Sequence, residues 1–245
     1  MKQAIVGVLG GMGPEATVRL FGLLVAATPA RRDQDHLRIL IDDNSKVPDR
    51  NAAILGHGED PLPYLEESAR LLQQAGADFL VIPCNTAHHW LGPLRARVSL
   101  PILDMVGAVA AAVSAVRPRL SQVGLLTSIG AREAGLYPTA LLQHGVATLD
   151  TNSDEQSALM NVIYRIKAAD QGVRDDVIQI ARRLLARGAE GLILGCTELS
   201  LVGEMRELGC PLFDPLAIVA QRAVEIASNW DRGRADLESQ QIRTG

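Results

Sequence analysis

Two cysteines in this chain stand in matching surroundings. Leu80-Val81-Ile82-Pro83-Cys84 follows Gly76-Ala77-Asp78, and Leu192-Ile193-Leu194-Gly195-Cys196 follows Gly188-Ala189-Glu190, at a constant offset of 112 residues. Each cysteine ends a short apolar run of the kind that forms a buried strand. Each precedes a polar turn that opens a helical pattern, Asn85-Thr86-Ala87-His88 after the first and Thr197-Glu198-Leu199-Ser200 after the second. A helix start offers unpaired N–H groups and positive potential, which lower a thiol pKa and can hold a carboxylate. Thr86 and Thr197 add hydroxyl donors. A small carboxylic acid between two such sulfurs could lose its α-proton to one thiolate and receive a proton from the other thiol on the opposite face. That exchange inverts a stereocentre, and it needs the two sulfurs in opposite protonation states. A lone cysteine is most simply a buried core thiol; two at equivalent positions argue for chemistry. Cys210 has Leu100 at its counterpart position and reads as structural.

The elements that position these residues repeat as well. Pro101-Ile102-Leu103-Asp104 matches Pro211-Leu212-Phe213-Asp214 at an offset of 110, and Val6-Gly7-Val8-Leu9 with Gly13 matches Val123-Gly124-Leu125-Leu126 with Gly130 at 117. Three collinear matches predict two copies of one α/β unit. Apolar runs predict strands at 4–9, 37–41, 79–82, 102–103, 122–126, 191–194 and 212–213. Helical patterns cover 14–27, 61–75, 88–98, 105–116, 131–143, 154–169 and 173–187, with two more from 198 and from 215. The expected fold class is α/β: two pseudo-symmetric lobes, each a parallel sheet flanked by helices, with the active site in the cleft between them. The expected boundaries are 1–104 for the N-terminal lobe, completed by a helix at 215–228, and 105–212 for the C-terminal lobe. The charged stretch 229–245 is expected to fray.

Composition narrows the function classes. The chain has 245 residues, a net charge of −4, 47% hydrophobic and 3% aromatic residues. That is a globular chain with no basic footprint for nucleic acid and little aromatic surface for stacking bases or sugars. The N-terminus does not read as a signal peptide, and no apolar stretch reaches the roughly 18 residues of a membrane span. Three scattered cysteines give no disulfide framework and point to a reducing, cytoplasmic location.

Two other readings use the same residues. Gly11-Met12-Gly13-Pro14-Glu15-Ala16 fits a dinucleotide loop, with Asp42 or Asp43 as the ribose acid. The repeat copy, Leu126-Thr127-Ser128-Ile129-Gly130, is no phosphate cradle, and that reading leaves the cysteines unexplained. Cys84, His88 and Cys196 could hold zinc, but the spacing fits no strong zinc pattern, and a bound metal would block proton transfer. No metal is therefore expected. Glu198 could either tune the charge of Cys196 or cap its helix.

Together, Leu9-Gly10-Gly11-Met12-Gly13-Pro14-Glu15-Ala16-Thr17, Pro83-Cys84-Asn85-Thr86-Ala87-His88 and Gly195-Cys196-Thr197-Glu198 resemble the signature segments of the aspartate/glutamate racemase family, and most closely its cofactor-independent aspartate racemases. The resemblance runs to about residue 227 and includes Val47-Pro48-Asp49-Arg50. It implies a two-lobed pseudo-symmetric fold, a homodimer, an amino-acid substrate, no cofactor, and Cys84 and Cys196 as catalytic acid and base. By position it also implies Arg50 and Lys167 at an acidic substrate's side-chain carboxylate. Met12 then lies in the substrate-proximal loop, and Asn85, Thr86 and Thr197 hold the α-carboxylate. The expected reaction is L-/D-aspartate interconversion. The alternatives are a racemase of glutamate, broad or non-acidic specificity, and a binding protein without turnover. Two departures from the family pattern stand out. Gly130-Ala131 replaces a Gly-Thr pair, with Ser128 just before it, and Tyr164 lies one residue nearer Lys167 than the family spacing.

Overall fold

The computed structural model describes residues 3–170 and 172–243, with side-chain surroundings to residue 239. The first half runs β1 (Val6–Gly10), α1 (Pro14–Ala27), β2 (Ile39–Asp43), α2 (Arg50–Ile54), α3 (Leu62–Gln74), β3 (Phe79–Val81), a 3-10 turn (Thr86–Trp90), α4 (Leu91–Arg95), β4 (Ile102–Leu103) and α5 (Met105–Ala115). The second half runs β5 (Gln122–Leu125), α6 (Ile129–Glu133), α7 (Leu136–Leu142), β6 (Ala147–Asp150), α8 (Ser153–Lys167) and α9 (Arg174–Ala186). It continues with β7 (Leu192–Ile193), a 3-10 turn (Thr197–Leu201), β8 (Leu212–Phe213), α10 (Pro215–Ser228) and α11 (Trp230–Arg243).

The strands form two parallel four-stranded sheets of the same order, β2-β1-β3-β4 and β6-β5-β7-β8. Val8 pairs with Ile41 on one side and Val81 on the other; Leu125 pairs with Asp150 and Ile193 in the same way. The expected α/β architecture of two related parallel-sheet lobes is therefore the one the chain adopts. In each sheet the connections reverse direction between the first and third strands. Ligands of open parallel sheets lie beyond the strand C-termini at such a reversal. Here that crevice receives the loop after β1 and Cys84 in one lobe, and Ser128 and Cys196 in the other.

The central strands are covered on both faces. All five residues of β1 are buried. Leu20 and Leu24 of α1 are fully buried with Leu216, Val219 and Ala223 of α10. Each such leucine or valine contributes about 1.5–3 kcal/mol by leaving water. α10 thus covers the first sheet although it follows the second in sequence. Conversely, α5 follows the first sheet but places Val106, Val109 and Val113 against Val123 and Leu125 of the second. Asp104 and Asp214 start these two helices alike, accepting the N–H groups of Gly107 and Leu216.

Several elements differ from expectation. The 131–143 helix is two helices, because Gly135 adopts a left-handed conformation (φ 60°) between them. The helix expected at 88–98 is a 3-10 turn followed by the short α4, and the helix expected from 198 is a 3-10 turn. The charged tail, expected to fray, is helical as far as residue 243, and residues 244–245 lie outside the described residues: α11 stacks Trp230 on Phe79, with ring centroids 5.6 Å apart, and buries Leu237. Among the described residues no helix is long and apolar enough to cross a membrane.

Candidate active site

The first wall of the cleft is the loop after β1. Gly11 has φ 88°, and a Cβ there would lie 2.2 Å from the Asn44 carbonyl carbon, so only glycine fits. Thr17 Oγ1 accepts the Gly11 N–H at 3.0 Å and ties the loop to α1. The Met12 side chain is buried. Arg50 grips the same loop from α2. Its Nη1 donates to the carbonyls of Val47 (3.0 Å) and Pro48 (2.7 Å), and its Nη2 to that of Met12 (3.2 Å). Its Nε is buried and without a partner. Much of the Arg50 guanidinium therefore shapes the loop.

Cys84 and Cys196 end the extended segments after β3 and β7, and both are buried, at 5% and 7% exposure. They lie close enough that charge on Cys84 raises the pKa of Cys196. After Cys84, Asn85 Oδ1 accepts the Tyr137 hydroxyl across the lobes, which aims its amide nitrogen; Asn85 Nδ2 is buried with no partner. Thr86 Oγ1 meets Ser128 Oγ across the cleft at 2.8 Å. His88 Nε2 accepts the Met105 N–H (3.1 Å), so its Nδ1–H donates to the Cys84 carbonyl (2.9 Å). Burial, only partly opposed by Asp104, lowers the His88 pKa and keeps the ring neutral. With both nitrogens on backbone groups, His88 is unavailable to the zinc reading.

The Cys196 side carries charge. The Cys196 thiol donates to Glu198 Oε2 at 3.0 Å, and Glu198 Oε1 pairs with Lys167 Nζ. Burial first, then the Glu198 carboxylate, push the Cys196 pKa well above the ordinary thiol value, against the pull of Lys167. The expected lowering of the thiol pKa by a helix start does not occur at Cys196, because the element is a 3-10 turn and a buried carboxylate faces the sulfur. Burial pulls the Lys167 ammonium down, but Glu198 and the two sulfurs more than offset it and hold its pKa above the ordinary lysine value. Glu198 uses both oxygens in these contacts and caps no helix. Thr197 is buried beside it.

The structure thus gathers Met12, Asn85, Thr86, Thr197 and Lys167 with the two cysteines at the facing edges, while Arg50 braces the loop from behind. A Cβ on Gly13 would lie 3.6 Å from Glu198 Oε1 and 3.7 Å from Lys167 Nζ, so the charged pair of one lobe abuts the bare loop of the other. Sequence reasoning missed two residues. Asn51 Oδ1 accepts the Gly130 N–H at 3.0 Å and joins the lobes; its place beside Arg50 in a polar loop was the available signal. Tyr137, the fully buried partner of Asn85, carried no signal. Ser128 supplies a hydroxyl to the cleft where the departure at Ala131 removes one.

A fold of paired parallel sheets of this kind has known counterparts. The family model for Asp/Glu/hydantoin racemases matches residues 9–223, and the chain belongs to that family. The chain is 22% identical over 225 residues to the broad specificity amino-acid racemase RacX of Bacillus subtilis, covering 90% of this chain and 96% of that protein. It is 26% identical over 220 residues to glutamate racemase of Pseudomonas entomophila, covering 86% and 79%. Its structure superposes on that of Picrophilus torridus aspartate racemase with a TM-score of 0.82 at 26% identity, covering 92% of this chain and 94% of that one.

Proposed function

We propose that this chain interconverts L- and D-aspartate without a cofactor, with Cys84 and Cys196 as the two bases. The observation that carries the reading is the pair of buried sulfurs at equivalent edges of two equivalent sheets. In one direction the Cys84 thiolate takes the α-proton. The C–H electron pair delocalises into the α-carboxylate, and the Cys196 thiol delivers its proton to the opposite face. The reverse reaction exchanges the roles. In this reading Asn85, whose Nδ2–H is buried and without a partner, meets the α-carboxylate with Thr86 and Thr197 as its charge grows. The raised Cys196 pKa keeps that sulfur protonated at neutral pH, as the acid of the pair must be. Lys167 supports an acidic side chain on the substrate, and the solved aspartate racemase it resembles supports aspartate.

A second reading, with glutamate or a broader set of amino acids as substrate, is favoured by the names of the sequence relatives and by the occupation of Arg50 by backbone carbonyls. Chiral chromatography of aspartate, glutamate and alanine incubated separately with the protein, without pyridoxal phosphate, decides between them. Racemisation of aspartate at a rate well above the others is the expected result. Faster turnover of another amino acid would move the substrate, and no turnover of any would leave a binding protein.

A further inference from the structure

The cation best placed for a substrate's side-chain carboxylate already holds one. Lys167 Nζ is paired with Glu198 Oε1 directly against the Gly13 backbone, where the two lobes meet. The Lys167 side chain is 30% exposed and Glu198 only 5%, so the ammonium faces the cleft and the carboxylate lies behind it, almost dry. Arg50 is more committed, because its terminal nitrogens donate to three backbone carbonyls, although its Nε has no partner. A second carboxylate arriving at Lys167 in a water-poor site would face the charge of Glu198 as a like-charge neighbour, which is strongly unfavourable.

We propose that Glu198 is a resident occupant of the side-chain carboxylate subsite, and that an acidic substrate binds by taking its place on Lys167. This rests on the acidic-substrate reading above and adds a selection step to it. A substrate with a neutral side chain has nothing to exchange for Glu198 and leaves the contact closed. A carboxylate side chain displaces Oε1, and the like charge it brings is then separated from the carboxylate it replaced. The exchange also reaches the thiol. The same Glu198 carboxylate accepts the Cys196 S–H through Oε2, and once free of Lys167 it is a stronger proton acceptor for that sulfur. Glu198 is in this view a positioning residue that couples recognition of the side chain to the state of Cys196.

An internal competitor lowers apparent affinity by the fraction of molecules it occupies. Removing it therefore tightens binding of a dicarboxylate, opposite to the loss expected if Glu198 merely supported the fold. The test is calorimetric binding of succinate, which carries both carboxylates of aspartate but no α-amino group, with butyrate as the one-carboxylate control. Glu198→Gln is expected to bind succinate roughly tenfold more tightly than the unmodified chain, with butyrate unchanged. Lys167→Met is expected to lose succinate affinity by roughly the same factor or more. Glu198→Asp keeps the charge but is one methylene shorter, and is expected to fall between the parent chain and Glu198→Gln; it serves if the Gln variant does not fold. Equal or weaker succinate binding in the Gln variant, or in the Asp variant if only that one folds, would overturn the exchange without touching the reading of aspartate as substrate of the unmodified chain. If the unmodified chain turns over a neutral amino acid and binds no succinate, the acidic-substrate reading fails, and the exchange with it.

Discussion

The two halves of the cleft share a scaffold and differ in charge. At the offset of 112 residues, Asn85 corresponds to Thr197, Thr86 to Glu198 and His88 to Ser200. On the Cys84 side these are neutral groups: Thr86 meets the Ser128 hydroxyl, and neutral His88 links the Cys84 carbonyl to the start of α5. On the Cys196 side the same positions join a charged chain. Glu198 bridges Lys167 and the thiol, and Ser200 donates to Asp214 at 2.6 Å. The duplicated sheets bring two sulfurs together, and the residue two places beyond each one sets its electrostatic surroundings. A fold repeated almost evenly thus gives its two sulfurs unlike electrostatic surroundings.

The most severe way to break the comparison is to remove either sulfur. Cys84→Ser and Cys196→Ser should each cut racemisation by about 10²–10⁴-fold or more, the range for loss of a general acid or base, as read by polarimetry. Racemisation that survives both single changes would show that the halves are not a pair. Next comes His88, which anchors the Cys84 loop from within the core. Replacing it with Asn leaves a buried backbone group unpaired and should cost about 1–3 kcal/mol in denaturant unfolding. His88 also carries a pH signature. Its folded pKa is lowered below the ordinary 6.5, so the unfolded chain binds a proton first as pH falls. Stability from this group is present above about pH 6.5 and lost as pH drops below it. The Asn variant should lack that component of acid destabilisation.

The charged half is probed by pH. With its pKa well above 9.0, Cys196 stays a thiol through the neutral range, and the alkaline limb of kcat/KM should begin only above pH 9. Glu198→Gln removes the negative charge that raises this pKa and frees Lys167 to lower it, so the limb should move to lower pH. An unmoved limb would mean that Glu198 does not govern Cys196. The smallest effect is expected at the lobe contact on the neutral side. Thr86→Val deletes the hydrogen bond to Ser128 and should cost about 1 kcal/mol of stability, with a weaker affinity for the α-carboxylate as its kinetic trace.

How much of this was legible in the sequence follows from what each feature needs. The buried parallel strands announced themselves as apolar runs, and the repeat located both sulfurs. β6 went unseen because Ala147–Asp150 is an edge strand, half exposed, with no apolar run to mark it. α11 went unseen because its buried contacts come from Trp230 and Leu237, two apolar residues a full seven positions apart in a charged stretch. At the site, residue types and positions were readable, but their partners were not. That Arg50 grips the Met12 carbonyl, or that Glu198 faces Cys196 with one oxygen and Lys167 with the other, depends on which loops the folded sheets bring together.

The central claim, one base on each lobe, is tested most directly by following aspartate racemisation in deuterium oxide from its first few per cent of conversion. Starting from L-aspartate, the D-aspartate formed should carry deuterium at Cα from the outset while the remaining L-aspartate stays protonated. One sulfur removes the substrate's proton, and the other delivers one drawn from solvent. Deuterium appearing equally in both enantiomers from the first time point, or a product that retains the substrate's own proton, would contradict the two-lobe, two-base account.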